Sequence, residues 1–119
     1  MEKKHFMCTH TWGSDAVRDQ VAEQSKEMTD VDFFALFKTE KAEVLQHWMG
    51  KDDFFFCHWY AESEDAIYEA LEAAQFNNLI VTMPNEMPRY VSSEKLTGKV
   101  MADPFGSVSY THLTLPTKA

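Results

Sequence analysis

Glycine and proline are scarce in this chain of 119 residues, which contains four of each. A phosphate-binding loop needs several glycines close together, and no such cluster is present. The sequence also lacks the Gly-x-Ser-x-Gly nucleophile motif and the His-Glu-x-x-His zinc motif. The absence of these three motifs excludes a glycine-rich nucleotide-binding loop, a serine-hydrolase nucleophile elbow and a zinc-protease helix of the kinds that they mark.

Cysteine is also scarce, and the chain has only two, Cys8 and Cys57. Neither belongs to a Cys-x-x-Cys pair, so a zinc knuckle or a thioredoxin-type motif is absent. Both lie in apolar, strand-like runs, where a reduced cysteine is typically a small core residue. A catalytic thiol is the alternative interpretation.

Positive charge is in deficit, with 11 basic against 19 acidic residues and a net charge of −8. The basic residues are scattered along the chain, so no stripe exists to neutralise phosphates and we expect no nucleic-acid partner. No apolar run approaches the roughly 20 residues of a membrane helix, and the N-terminal segment has no apolar signal region. We therefore expect a cytoplasmic protein without a membrane partner.

Strand-forming and helix-forming segments alternate along the chain, and 45% of the residues are hydrophobic. Gly13 and Pro84 end the first and last predicted strands, while Ser14, Thr29 and Ser63 are candidate helix N-caps. The predicted strands are 4–12, 41–50, 54–61 and 79–83; helices are predicted from 15 to about 28, over a short stretch after 30, and from 64 onwards. This β-α-β-β-α-β order predicts an α+β, ferredoxin-like fold with an antiparallel sheet.

The chain divides by composition into three parts. Residues 1–84 form the predicted ferredoxin-like domain, and residues 85–107 a proline-containing C-terminal extension. The tail at 108–119 reads as a strand, but the reverse translation of Val108 to Thr117 resembles a transposon-based sequencing adapter. We therefore expect the tail to be non-native, as in a metagenomic gene fragment, with no function of its own and with the natural C-terminus unknown.

The strand "FFFCHWYA" at residues 54–61 is apolar on both sides, whereas a strand with one solvated face should alternate. The helices of a ferredoxin-like domain cover one sheet face and leave the other open. We therefore predict a homodimer packed sheet to sheet, with Phe56, His58 and Tyr60 on the open face. A monomer whose extension covers that face is the alternative.

Three histidines stand beside tryptophan in different predicted strands: His10 in "HTW", His47 in "HWM" and His58 in "HWY". If Met49 pairs with Phe54, His47 and His58 share a face with Cβ atoms roughly 7 Å apart or less. Converging imidazoles suit zinc or nickel, so we predict a metal site at these three histidines. The alternative is that the histidines are hydrogen-bonded within an aromatic pocket, and we expect Trp12, Phe56 and Tyr60 to line a ligand pocket.

The segment "FFFCHWYAESEDAIYEALEAAQFNNLIV" resembles small ferredoxin-like domains of uncharacterised function, and most of all the family that includes nickel-binding ferredoxin-like proteins. The strand "HFMCTHTW" is similar to the first strand of that family, in which a histidine often stands near the position of His10. The resemblance covers roughly Lys4 to Met83, and it implies a ferredoxin-like fold with His10 as a metal ligand.

Three functions fit these observations. The first is a homodimeric binding module for a transition metal or a small molecule. The second is a cofactor-free dimeric α+β barrel enzyme of monooxygenase or isomerase type, in which His58, Tyr60 and Trp12 would perform proton transfer. The third is a structural or regulatory subunit without a ligand.

Overall fold

A computed structural model describes residues 2–105, so the tail predicted to be adapter-derived lies outside the described residues. The described residues fall into two compact units that divide after Glu86. The first unit contains every helix and strand found in the described residues.

The first unit is a four-stranded antiparallel sheet with three helices, and the predicted α+β class is confirmed. The sheet has the strand order β2-β3-β1-β4, which fits a ferredoxin-like fold. The elements in chain order are β1 Lys4–Trp12, α1 Asp15–Gln24, α2 Asp30–Leu36, β2 Ala42–Met49, β3 Phe54–Ala61, α3 Glu64–Ala73 and β4 Ile80–Glu86.

Each helix begins directly after the residue that the sequence predicts as its N-cap. The side chains of Ser14 and Ser63 accept hydrogen bonds from the first turns of α1 and α3, and Thr29 forms a reciprocal capping box with Asp32 in α2. The expectation that α1 runs to about Met28 is wrong, because the helix ends at Gln24. The Ser25 hydroxyl donates to the Val21 carbonyl at 2.6 Å, and this side-chain bond accompanies the end of the helix.

The expectation that Pro84 ends β4 is also wrong. Pro84 lies within the strand and pairs with Cys8 of β1. Proline has no backbone N–H to donate, but β4 is at the edge of the sheet, where one side of the strand needs no ladder bonds. The strand therefore continues to Glu86.

The core lies between the sheet and α3, whose buried side chains are Ala66, Ile67, Ala70 and Leu71. These residues recur at helical spacing and pack against one sheet face, here called the helix face. In the two central strands the helix face carries Phe6, Cys8, His10 and Trp12 from β1 and Phe55, Cys57, Trp59 and Ala61 from β3. The other sheet face, here called the open face, carries His5 and Met7 from β1 and Phe54, Phe56, His58 and Tyr60 from β3.

A β-bulge in β2 decides which side chains share a face. Val44 pairs with Trp59, but Gln46 pairs with His58, so Leu45 is an extra residue in β2. The predicted pairing of Met49 with Phe54 is wrong, because Met49 pairs with Phe55. Beyond the bulge every β2 side chain therefore lies on the opposite face from the one predicted.

The second unit contributes no helix or strand within residues 87–105. Its Arg89 Nη1 donates to the carbonyl of Ala102 at 3.3 Å. Its large apolar side chains are mostly exposed, among them Tyr90, Leu96 and Val100. Across residues 2–105, none of the helices combines the length and apolar character that a bilayer crossing requires.

Candidate functional site

The structure separates the predicted site residues into two groups. His10, Trp12 and His47 lie on the helix face, where His47 pairs with Cys57 across the ladder. Phe56, His58 and Tyr60 lie on the open face, as predicted for these three residues of β3. His47 and His58 are therefore on opposite faces, and the predicted approach of these two imidazoles does not occur within the chain.

A cavity of about 740 Å³ lies between the helix face and the helices α1 and α2. Ligand sites typically enclose about 300–1,000 Å³, so the volume is that of a small-molecule site. Most of its wall is aromatic or aliphatic, and its charged lining residues are Arg18, Asp30, Lys51 and Asp52. Its aromatic lining comes from Trp12, Phe33, Phe34, Phe37, Phe55, Trp59 and Phe76.

His10 forms one side of a polar corner in this apolar wall. It is 1% exposed, stacks on Phe55 with ring centroids 4.9 Å apart, and hydrogen-bonds through Nδ1 to Thr82 Oγ1 at 3.0 Å. Burial, with a smaller contribution from His47, lowers the pKa of His10 to about 4, so the ring is neutral at pH 7. Its Nε2 is buried without a hydrogen-bond partner among the described residues.

His47 forms the other side of the polar corner. Its ring contacts Phe33 at 4.7 Å and Phe55 at 6.0 Å between centroids, so Phe55 lies close to both imidazoles. Its Nδ1 donates to the Phe56 carbonyl oxygen at 3.2 Å and lies 3.4 Å from Cys57 Sγ. Burial lowers the pKa of His47, and the bond to the carbonyl opposes that change. Because Nδ1 carries the proton of the neutral ring, Nε2 is a bare acceptor.

The two cysteines are a directly opposed pair on the helix face. Burial raises the pKa of Cys57 to about 12, and burial beside Cys57 raises that of Cys8. Both thiols are therefore protonated at neutral pH, which favours the core interpretation over a nucleophilic thiolate.

The open face has a different arrangement of imidazoles. His58 Nε2 lies 2.9 Å from His5 Nδ1, and Gln46 Nε2 lies 3.0 Å from His58 Nδ1. His5 also stacks against Tyr60, with ring centroids 4.8 Å apart. Burial and the neighbouring His5 lower the pKa of His58. These contacts form a hydrogen-bonded row of three side chains across β1, β3 and β2.

Large apolar side chains surround that row on the open face. Phe54 is 55% exposed, Met83 59% and Trp48 47%. Phe56 and Val81 are exposed as well, and they lie on β3 and on the edge strand β4. Scattered apolar residues are normal on a protein surface, but a continuous set across a whole sheet face indicates a contact surface.

Among residues 2–105, no group of three or more histidine, cysteine, aspartate or glutamate side chains is arranged to hold a metal ion. His10 and His47 share the helix face with the Phe55 ring close to both, whereas His58 is on the other side of the sheet. The three histidines are therefore not brought together within one chain, and the zinc or nickel site stays a prediction.

Sequence reasoning missed the cavity and the role of α2 in its wall. The cluster "DFFALF" suggested a short helix packed on the core, and Phe33 and Phe34 do pack there while also lining the cavity. The available signal was the pair of adjacent phenylalanines in so short a segment; in the structure this helix has no fully buried residue.

Comparison of the chain with protein-family models, with curated proteins and with solved structures finds no match.

Proposed function

We propose that this protein is a cytoplasmic, homodimeric binding module that holds a small organic molecule between the helix face of its sheet and the helices α1 and α2. The single observation that carries the proposal is the aromatic cavity with the imidazoles of His10 and His47 at one corner. A largely apolar cavity with a few convergent polar groups is the usual form of a ligand site.

An organic ligand suits this cavity better than zinc or nickel. Two imidazoles are too few for a stable tetrahedral or octahedral site, and the nearest thiol, Cys57, is held in its protonated form by burial. The aromatic side chains beside the imidazoles offer no metal ligands but a large apolar contact area.

Support for the homodimer comes from the open face. The exposed side chains of Trp48, Phe54, Phe56 and Met83 lie on the face opposite the cavity. Burying apolar surface contributes roughly 25 cal/mol per Å², so a second copy of this face would gain considerable free energy by covering it. A two-fold dimer would bring the same open face of each copy into contact.

His10 favours a second candidate function, an enzyme of isomerase or monooxygenase type that removes a proton from its substrate. His10 is neutral at pH 7 and its Nε2 has no partner among the described residues, so the ring could act as a weak general base. Benzoylacetone, an apolar diketone with an acidic C–H, is a suitable probe. For this candidate we expect deuterium exchange at that carbon to be faster than in buffer and to be lost in His10→Phe; equal rates in both proteins would remove it.

The cavity itself is tested by titration with methoxystilbene, a neutral two-ring fluorophore. Ala22 lines the cavity on α1, so Ala22→Trp fills space that the probe needs and should weaken binding about tenfold or more. Ala73→Trp is the matched control, because Ala73 is also an exposed helical alanine but does not line the cavity. The measurement is probe fluorescence against protein concentration.

Three results would contradict the proposal. One is that methoxystilbene does not bind the unmodified protein. Another is that the two tryptophan variants weaken its binding equally. The third is that nickel or zinc binds tightly with one ion per chain and that His58→Ala abolishes this binding, in which case the metal prediction replaces the organic ligand.

A further inference from the structure

The proton of His47 determines what a ligand must offer at the polar corner. Its Nδ1 faces a carbonyl oxygen, Phe56 O, at 3.2 Å, and a carbonyl oxygen can only accept. The neutral ring must therefore carry its proton on Nδ1, and Nε2 then has a lone pair and no proton. His47 lines the cavity, and its Nε2 has no hydrogen bond within residues 2–105.

The charge of the polar corner is the second constraint. Both imidazoles are neutral at pH 7, since burial lowers the pKa of each. The charged lining residues include two of each sign, Arg18 and Lys51 against Asp30 and Asp52, so they provide no net charge. Arg18 is already close to two carboxylates, with Asp15 at 3.6 Å and Asp19 at 3.2 Å. An anionic group would lose its hydration against the aromatic wall at the corner.

The shape of the wall is the third constraint. Phe33 flanks His47, and Phe55 lies near both imidazoles, so the corner is bounded by aromatic rings. The wall continues through Phe37 and Trp59, which pack edge to face with centroids 6.5 Å apart. Flat aromatic groups fit between such rings, because offset and edge contacts are both available to them.

We infer that the cavity selects an uncharged aromatic alcohol, in which a phenol-type hydroxyl donates its hydrogen bond to Nε2 of His47 and the apolar body lies along the aromatic wall. The inference rests on the proposed function, because it specifies the ligand class of the same cavity. An ether or a carboxylate of the same shape lacks the proton that the acceptor requires.

Three probes of one shape test the inference: hydroxystilbene, methoxystilbene and stilbene carboxylate. A neutral hydrogen bond to this unpartnered acceptor should make hydroxystilbene bind about fivefold to tenfold more tightly than methoxystilbene. His47→Phe keeps an aromatic ring but removes the acceptor, so the two neutral probes should then bind equally. His47→Gln restores an acceptor oxygen and should recover part of the preference. His58→Phe, on the open face, is the matched control and should leave the preference unchanged.

The outcomes separate this inference from the proposed function. Equal binding of the two neutral probes to the unmodified protein, or tightest binding of the carboxylate, would overturn the phenol inference while the cavity remains supported. A hydroxyl preference that survives His47→Phe would also overturn it, because another residue would then be the acceptor. Failure of both neutral probes to bind would contradict the inference and the proposed function together.

Discussion

The two faces of the central sheet place histidines in opposite situations. On the helix face, His10 and His47 are held by Thr82 and by a carbonyl oxygen and have no bond to each other. On the open face, His5 and His58 lie within hydrogen-bonding distance of each other, and Gln46 contacts His58. The helix face therefore leaves Nε2 of both imidazoles without a hydrogen bond among the described residues, whereas on the open face both nitrogens of His58 are bonded within the row.

The largest expected effect is the difference in unfolding free energy lost when a large side chain is truncated on each face. Trp59 on the helix face is 1% exposed, and Phe54 on the open face of the same strand is 55% exposed. Trp59→Ala should lower the free energy of unfolding by about 3–5 kcal/mol, because it leaves a cavity in the core. At a protein concentration low enough to dissociate the proposed dimer, Phe54→Ala should cost under about 1 kcal/mol, since in a single chain its ring has solvent on one side. Urea unfolding at one fixed protein concentration gives both values, and comparable losses would mean that the open face is as tightly covered as the core.

The next effect concerns the open face alone. Phe56 lies on a central strand, so in a symmetric dimer its copies would be near each other and Phe56→Lys would bring two like charges into an apolar interface. We expect the dimer dissociation constant to rise by about 100-fold or more, equivalent to about 2.7 kcal/mol. Sedimentation equilibrium measures it, with Ala73→Lys on α3 as the control. A monomeric unmodified protein at high concentration would contradict the dimer.

Sequence patterns were sufficient for the fold because its signals are local. β1 and β3 have the predicted bounds, 4–12 and 54–61, and the caps Ser14, Thr29 and Ser63 are each at a helix start. The edge position of β4, which lets Pro84 remain in a strand, follows only from the strand order of the sheet.

The site was harder to predict because it depends on register. Its prediction assumed that the turn after Gly50 closes on a pair formed by Met49 and Phe54. In the structure Gly50 approaches the carbonyl of Phe54 so closely that a Cβ would clash, and Met49 pairs with Phe55 instead. Together with the bulge at Leu45, this arrangement places His47 on the same sheet face as His10 and on the opposite face from His58. A bulge has no reliable signal in a single sequence, because Leu45 is as typical of a strand as its neighbours.

The smallest of these effects uses pH to compare the faces. The pKa of His10 is about 4 in the folded chain and near 6.5 when unfolded, so the unfolded chain binds the proton more readily. The resulting stability is present above pH 6.5 and is lost as the pH falls towards 4. Between pH 7 and pH 5 the unmodified protein should lose about 2 kcal/mol more than His10→Asn, whose amide can still hydrogen-bond to Thr82. Urea unfolding at the two pH values measures the difference. His58→Asn, on the half-exposed open-face row, should change the pH dependence less, and an equal change in both variants would mean that the helix face does not exclude water from its histidines.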